Sequence, residues 1–364
     1  MARGLDDALG DKLSFGVIAS TSLHLVRHWQ NSIGGHPLPN GASLAAAQAA
    51  FGLLDEANEE QATVIFLISG GGSALMEWPS ADDISLDDLR AANQILVGCG
   101  ARIAEINSVR RAFSAVKGGE LARRAPHAKL FTLIVSDTNP GDEASVASGP
   151  TLNAPADAPN ALDVINDYHL ETVLPESIMK AVHSPHSSTP VSGSHQVLLD
   201  NQTAINAAAQ KARELGFMCT ILDDISEQPI QEGCNLLLSS VREHNGPICA
   251  ISGGEFSCPV RGDGRGGRNL ETALRCAISL DNHEGSHLVI LSAGTDGIDG
   301  NSPAAGAIAD ETTLDRARNL NLDAKQYLAR SDSYTFFEQL NDLIITGRTG
   351  TNVRDLRIVL KSSF

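Results

Sequence analysis

"SHLVILSAGTDGIDG", residues 286–300, runs from an unbroken apolar stretch straight into a turn of glycine, threonine and two aspartates. A short β-rich run closed by such a turn is the pattern of a buried parallel strand ending in a loop. It recurs along the chain. Similar runs are "FGVIAS" (15–20), "ATVIFLIS" (62–69), "KLFTLIVS" (129–136), "FMCTILD" (217–223), "PICAIS" (247–252) and "LIIT" (343–346). Stretches of helical length lie between them at 41–57, 86–106, 202–215 and 268–280. The alternation predicts an α/β protein.

The length of 364 residues suits two domains. The segment 152–195 interrupts the alternation with Pro, Ser, His and Asn ("NAPADAPN", "HSPHSSTPVSGSH"). The expected division is therefore 1–190 and 191–364, near the end of that segment. Each half is expected to be a largely parallel sheet flanked by helices, with the active site in the cleft between them.

Composition narrows the partners. The chain is 42% hydrophobic and 20% charged, and has no apolar run near the roughly 18–20 residues of a membrane helix. The start, "MARGLDDALGDK", places Asp6, Asp7 and Asp11 where a signal peptide is basic and then apolar, so the expected location is cytoplasmic. A formal charge of −17 disfavours nucleic acid and anionic membranes as partners. The six cysteines form no C-x-x-C pair, which argues against a structural zinc.

Five strands end in Gly-rich turns: "SGGGSAL" (69–75), "SDTNPGD" (136–142), "SGGE" (252–255), "SAGTDGIDG" (292–300) and "TGRTGTN" (346–352). Such turns expose backbone N–H groups that suit anionic oxygens. Ser69, Gly70, Gly71, Gly72 and Ser73 are candidates of this kind. So are Gly253, Gly254, Glu255, Thr349 and Asn352. Each turn taken singly is also ordinary loop chemistry.

"RGDGRGGRNLE" (261–271) carries the most information. Gly262, Gly264 and Gly267 satisfy G-x-G-x-x-G before a helical pattern. A nicotinamide site also needs an acidic residue about 20 positions further on; here Arg265 and Arg268 stand beside the glycines, with Gly266 and Asn269, and the next strand ends near Asp296. Two guanidiniums at a helix start suit a polyphosphate or a carboxylate. No Gly-Lys dipeptide occurs, which excludes a Walker A loop. "GGGSAL" lacks the spacing of a serine-hydrolase elbow.

A kinase of another design still needs carboxylates for Mg²⁺ and for the acceptor's proton. Asp296 and Asp299 are the candidate metal ligands. Asp137 is the candidate base, with Asp142 in the same loop. His36 in "GGHPLPN" and Lys117 in "VKGGEL" are lesser candidates for substrate contact, since an isolated loop histidine or surface lysine is usually structural.

In combination, "GGHPLPNGAS", "LISGGGSALM", "SAVKGGELA", "SDTNPGD" with "ASGPT", "SGGE", "GDGRGGRNLE", "GTDGIDGNSPAAGAI", "SDSYTFF" and "TGRTGTNVRDL" resemble the class II glycerate 2-kinase family. The C-terminal half of that family is the MOFRL domain, and some members are labelled hydroxypyruvate reductase. The resemblance covers nearly the whole chain. It implies a two-domain α/β enzyme that uses ATP and Mg²⁺ to phosphorylate the 2-hydroxyl of D-glycerate. A homodimer is compatible with it. On this reading Arg268, Arg265 and Asp137 are the catalytic group.

Three departures from the family pattern stand out. Members usually carry, upstream of a Met-Ala matching Met1 and Ala2, a strand and a Gly-Lys-Ala segment whose lysine is implicated in catalysis. That segment lies outside these 364 residues, so a truncated chain, a start further upstream or an impaired enzyme is expected. Arg348 replaces a proline, and "DDISEQPIQEG" lacks a Gly-Glu-Ala. The competing expectations are a nicotinamide-dependent hydroxypyruvate reductase, which rests on the glycine fingerprint and the older label, and an inactive ligand-binding remnant.

Overall fold

A computed structural model describes residues 1–184, 189–242, 244–281 and 287–362. Residues 185–188 of the Pro/Ser/His-rich segment and Ser286 of the opening stretch lie outside the described residues. Two compact units are present, Met1–Leu198 and Leu199–Phe364.

The first unit holds a parallel pair, β1 (Gly16–Ser20) with β2 (Trp29–Ile33), and a three-stranded sheet. That sheet is ordered β3 (Thr63–Ser69), β4 (Lys129–Val135), β5 (Ser194–Leu199), and β3 and β4 run parallel with Thr63 opposite Lys129. The helix Gly41–Glu59 starts where Asn40 accepts the Ser43 N–H and Ser43 accepts the Asn40 N–H. This reciprocal cap satisfies two otherwise orphaned donors. Ala47, Ala50, Phe51 and Leu54 then pack on Phe66 and Leu130 of the sheet. The helix expected over 86–106 is two helices, Leu86–Gly98 and Ile103–Ala112. Between them Gly100 takes a left-handed φ of 86°, a conformation that ends helices.

The second unit is one six-stranded sheet: β6 (Met218–Ile221), β7 (Ile248–Ser252), β8 (Leu288–Gly294), β9 (Gly306–Asp310), β10 (Leu343–Ile344) and β11 (Asp355–Lys361). Their spatial order is β10-β9-β8-β11-β7-β6. The α/β expectation holds. Pairing is parallel for β6–β7 and antiparallel for the other four neighbours, so this sheet is mixed rather than largely parallel. β11 returns between β7 and β8 and runs against both, and on the other side β9 runs against β8 and β10 against β9.

The helix Arg268–Leu280 packs on this sheet. Leu270, Leu274 and Ala277 face one apolar cluster with Ala307 and Phe336, and Cys276 and Leu280 face another with Leu237 and Ile290. A helix buried on several sides is held rigidly. No helix among the described residues is long and apolar enough to cross a membrane.

Candidate active site

In the second unit four loops meet at the start of the helix Arg268–Leu280: 253–255 after β7, 261–267 before the helix, 294–301 after β8 and 346–354 before β11. Two glycines permit the approach. A Cβ on Gly267 would overlap the Asp299 carboxylate and the Gly300 nitrogen. One on Gly297, at φ 86°, would overlap the Gly347 carbonyl.

Arg268 is held by a fork. Its Nε donates to Asp355 Oδ2 at 2.6 Å and its Nη2 to Oδ1 at 3.3 Å, and Nη2 also lies 2.8 Å from Glu255 Oε1. Asp355 is 1% exposed. Burial draws the guanidinium pKa down, but the Asp355 hydrogen bond and charge, with Glu255, outweigh it and raise the value. A cation so placed keeps its charge and its plane. Nη1 has no bonding partner among the described residues. Asn201 fastens the loops behind it, donating to the carbonyls of Val353 at 2.7 Å and Asp355 at 2.9 Å and accepting from Gly254 N at 2.8 Å.

The two aspartates of the β8 loop differ sharply. Asp299 is 3% exposed. Its Oδ1 accepts the N–H of Asn269 at 3.1 Å and its Oδ2 that of Leu270 at 2.8 Å. Asn269 also donates to Asp299 through Nδ2 and accepts the Ser292 hydroxyl at 2.7 Å. Asp299 thus caps the helix that carries Arg268, and its oxygens are committed to backbone donors. It does not fit as a direct ligand of Mg²⁺.

Asp296 is half-buried, with Oδ1 accepting from Ile298 N at 3.0 Å. Its second oxygen has no protein partner among the described residues. That oxygen fits Mg²⁺, which takes one or two carboxylates along with phosphate oxygens and water. Among the described residues no cluster of three or more His, Cys, Asp or Glu could hold a metal by itself.

Burial raises the Asp299 pKa to about 6, against the lowering pull of the Leu270 and Asn269 N–H groups. With the folded value above the unfolded one, the native state binds the proton more tightly. This residue's contribution to stability therefore grows as pH falls from about 6 towards about 4. In Asp299→Asn that gain should disappear. Urea midpoints at pH 7 and pH 5, compared between wild type and variant, check it; parallel shifts in both proteins would refute it.

Other candidates of this unit serve their own loops. Arg265 is exposed and lies over the Tyr334 ring, 4.2 Å from its centre. Gly266 N donates to Asn301 at 2.8 Å, Thr349 donates to Thr295 O at 2.7 Å, and Asn352 accepts from Arg354 N at 2.9 Å. The glycine fingerprint is not that of a dinucleotide fold. β7 ends at Ser252, well before Gly262, and the helix N–H groups that would meet a pyrophosphate are taken by Asp299.

In the first unit the turn after β3 gathers His36, Asp137 and the stretch Ser69–Ser73. Gly70 lies so close to Asp137 that a Cβ would overlap the carboxylate. A Cβ on Gly71 would sit 3.7 Å from His36 Nε2. The Ser73 hydroxyl is 2.7 Å from that of Ser148, which donates to Asn107 Oδ1 at 2.9 Å. Ala147 and Ser148 both have left-handed backbones, at φ 52° and 63°. Non-glycine residues in that region carry strain and need support. Part of the support is a pair of bonds from Gly118 N to Ser148 O and from Gly119 N to Gly149 O.

Lys117 is not presented to a ligand. It is 1% exposed and paired with Glu77, whose other oxygen accepts the Ser114 hydroxyl at 2.6 Å. Burial lowers its pKa while Glu77 pulls it back up. Asn107, Ser148, Asn201 and Asp355 are site residues that sequence reasoning missed. Ser148 and Asp355 lay within the quoted motifs "ASGPT" and "TGRTGTNVRDL"; nothing in the sequence singled out Asn107 or Asn201.

Comparison with known proteins bears on this geometry. Residues 1–183 match a family described as a domain of unknown function, DUF4147, and residues 248–355 match the MOFRL family. A D-glycerate 2-kinase of Thermotoga maritima is 36% identical over 374 residues, spanning 99% of this chain and 87% of that one. A putative hydroxypyruvate reductase of Agrobacterium vitis is 37% identical, spanning 99% and 84%. The crystal structure of a glycerate kinase from Thermotoga maritima superposes with a TM-score of 0.88 at 34% identity, covering 99% of this chain and 88% of that one. A protein from Pyrococcus horikoshii gives 0.81 at 31% identity, covering 100% and 86%.

Proposed function

This chain belongs to the glycerate 2-kinase family of MOFRL proteins, and from that premise we propose that it transfers the γ-phosphoryl of ATP to the 2-hydroxyl of D-glycerate, giving 2-phosphoglycerate and ADP. The observation that carries the reading is the placement of Asp137. A carboxylate pressed against a bare glycine at a strand end can reach a small substrate lying on the turn. There it accepts the proton of the attacking hydroxyl. The backbone of Gly70–Ser73 and the imidazole of His36 orient the acceptor.

Arg268, its plane fixed by Asp355, offers Nη1 to phosphate charge that grows in the transition state. Asp296 would hold Mg²⁺ together with phosphate oxygens, and Asp299 keeps the helix that bears Arg268 in place. When bound, the cation neutralises charge on the phosphates.

Incubation with ATP, Mg²⁺ and D-glycerate, with products resolved by NMR, tests the reading. Release of ADP with 2-phosphoglycerate is the expected outcome. Oxidation of NADH by hydroxypyruvate at a comparable rate would favour the reductase instead. In the same assay Asp296→Asn should raise the Mg²⁺ concentration needed for half activity, because a neutral amide attracts the cation less. An unchanged metal titration would remove Asp296 from the site.

A further inference from the structure

The hydrogen-bond chain behind the first unit's glycine turn has a fixed direction. A serine hydroxyl carries one proton. That of Ser148 goes to Asn107 Oδ1 at 2.9 Å, inside the fold, where Asn107 is 2% and Ser148 1% exposed. The 2.7 Å contact between Ser148 and Ser73 must then use the proton of Ser73. Ser73 is half-buried and donates inward, so towards a ligand it offers lone pairs alone. Lone pairs repel the oxygens of phosphate and carboxylate and attract an O–H.

The arrangement is held against strain. The turn that delivers Ser148 has left-handed Ala147 and Ser148, and the Ala147 methyl is pressed on Gly72 so closely that a Cβ there would stand 2.8 Å away. Strain kept in place by surrounding contacts marks a position with a task.

We propose that Ser73 is a specificity-determining residue of the acceptor site, accepting a hydrogen bond from the substrate hydroxyl that does not react. The turn that brings Gly70 to Asp137 also carries Ser73, so one short segment addresses two neighbouring hydroxyls, one deprotonated and one counted. This rests on the glycerate kinase reading, and it adds a role for the Ser73 hydroxyl beside the backbone N–H groups of the same turn.

The test compares D-glycerate as substrate with D-lactate, which lacks the 3-hydroxyl, as competitive inhibitor. Ser73→Ala should lower kcat/KM for D-glycerate by about tenfold or more, mostly through KM, and leave the inhibition constant of D-lactate within about threefold. Ser148→Ala should move both in the same directions, because the proton of Ser73 is then released to point outward. Equal weakening of both ligands, or an unchanged KM for D-glycerate, overturns the assignment. If wild-type enzyme transfers no phosphoryl group to D-glycerate, the functional reading fails and the role of Ser73 falls with it. Transfer without the selective loss removes Ser73 alone.

Discussion

Glu77→Ala is expected to lower the free energy of unfolding by about 3–5 kcal/mol, the usual scale for stranding one member of a buried ion pair. Both Glu77 and Lys117 are 1% exposed, so the substitution leaves the ammonium in the interior without its counter-ion. Ser114 also loses the acceptor for its hydroxyl. A buried lysine escapes by losing its proton. Its folded pKa then lies below the unfolded one, so the unfolded state binds more protons, and the variant should gain stability as pH rises towards about 10.

Lys117→Met with Glu77→Leu removes both charges and should recover most of the loss. Activity should fall along with stability in the single variant, because Gly118 and Gly119 follow Lys117 directly and brace the strained Ser148 turn. Denaturant melts between pH 7 and 9.5 check the sign as well as the size. A loss under about 1 kcal/mol would mean that the pair is solvated.

Arg268→Lys should lower kcat/KM by at least about 100-fold while shifting Tm by only a few degrees. Lysine keeps the charge and one bond to Asp355 but has a single nitrogen, so it cannot hold the two-pronged contact and offer Nη1 as well. Arg268→Ala is a harsher change than it looks from sequence. It leaves the buried Asp355 carboxylate and the nearby Glu255 without this counter-ion, so stability and turnover should drop together. The lysine variant is therefore the informative one. Wild-type kinetics in Arg268→Lys would reduce this arginine to a structural ion pair.

The strands legible in sequence were those built from apolar runs. β3, β4, β7 and β8 all lie within the expected stretches because runs of Val, Ile and Leu build them; β7 is buried throughout, while β4 and β8 each expose a large apolar side chain, Phe131 and Val289. β11 was not legible. Its "DLRIVLK" carries Asp355 and Arg357, which look like surface charge. In the fold Arg357 is 1% exposed, donating to the Ser252 hydroxyl at 3.0 Å and lying 3.7 Å from the centre of the Phe256 ring.

The site was legible as loops and not as pairings. Sequence treats Asp296 and Asp299 as equals, three residues apart on one turn; only the fold shows that one caps a helix and the other keeps an oxygen in reserve. Lys117 misled for the same reason. Glu77, its partner, sits 40 positions away in "MEWPS", where nothing distinguishes it from a solvated glutamate.

The place of β11 has a consequence for synthesis on the ribosome. β7 and β8 pair with β11 and not with each other. Until residues 355–361 emerge, both strands carry an open edge, and open edges recruit other chains. Asp355 arrives in the same segment, so the partner that orients Arg268 is made 87 residues after it. A nascent chain stalled before residue 355 would thus hold neither a closed sheet nor an oriented arginine, which leaves the second unit dependent on late completion.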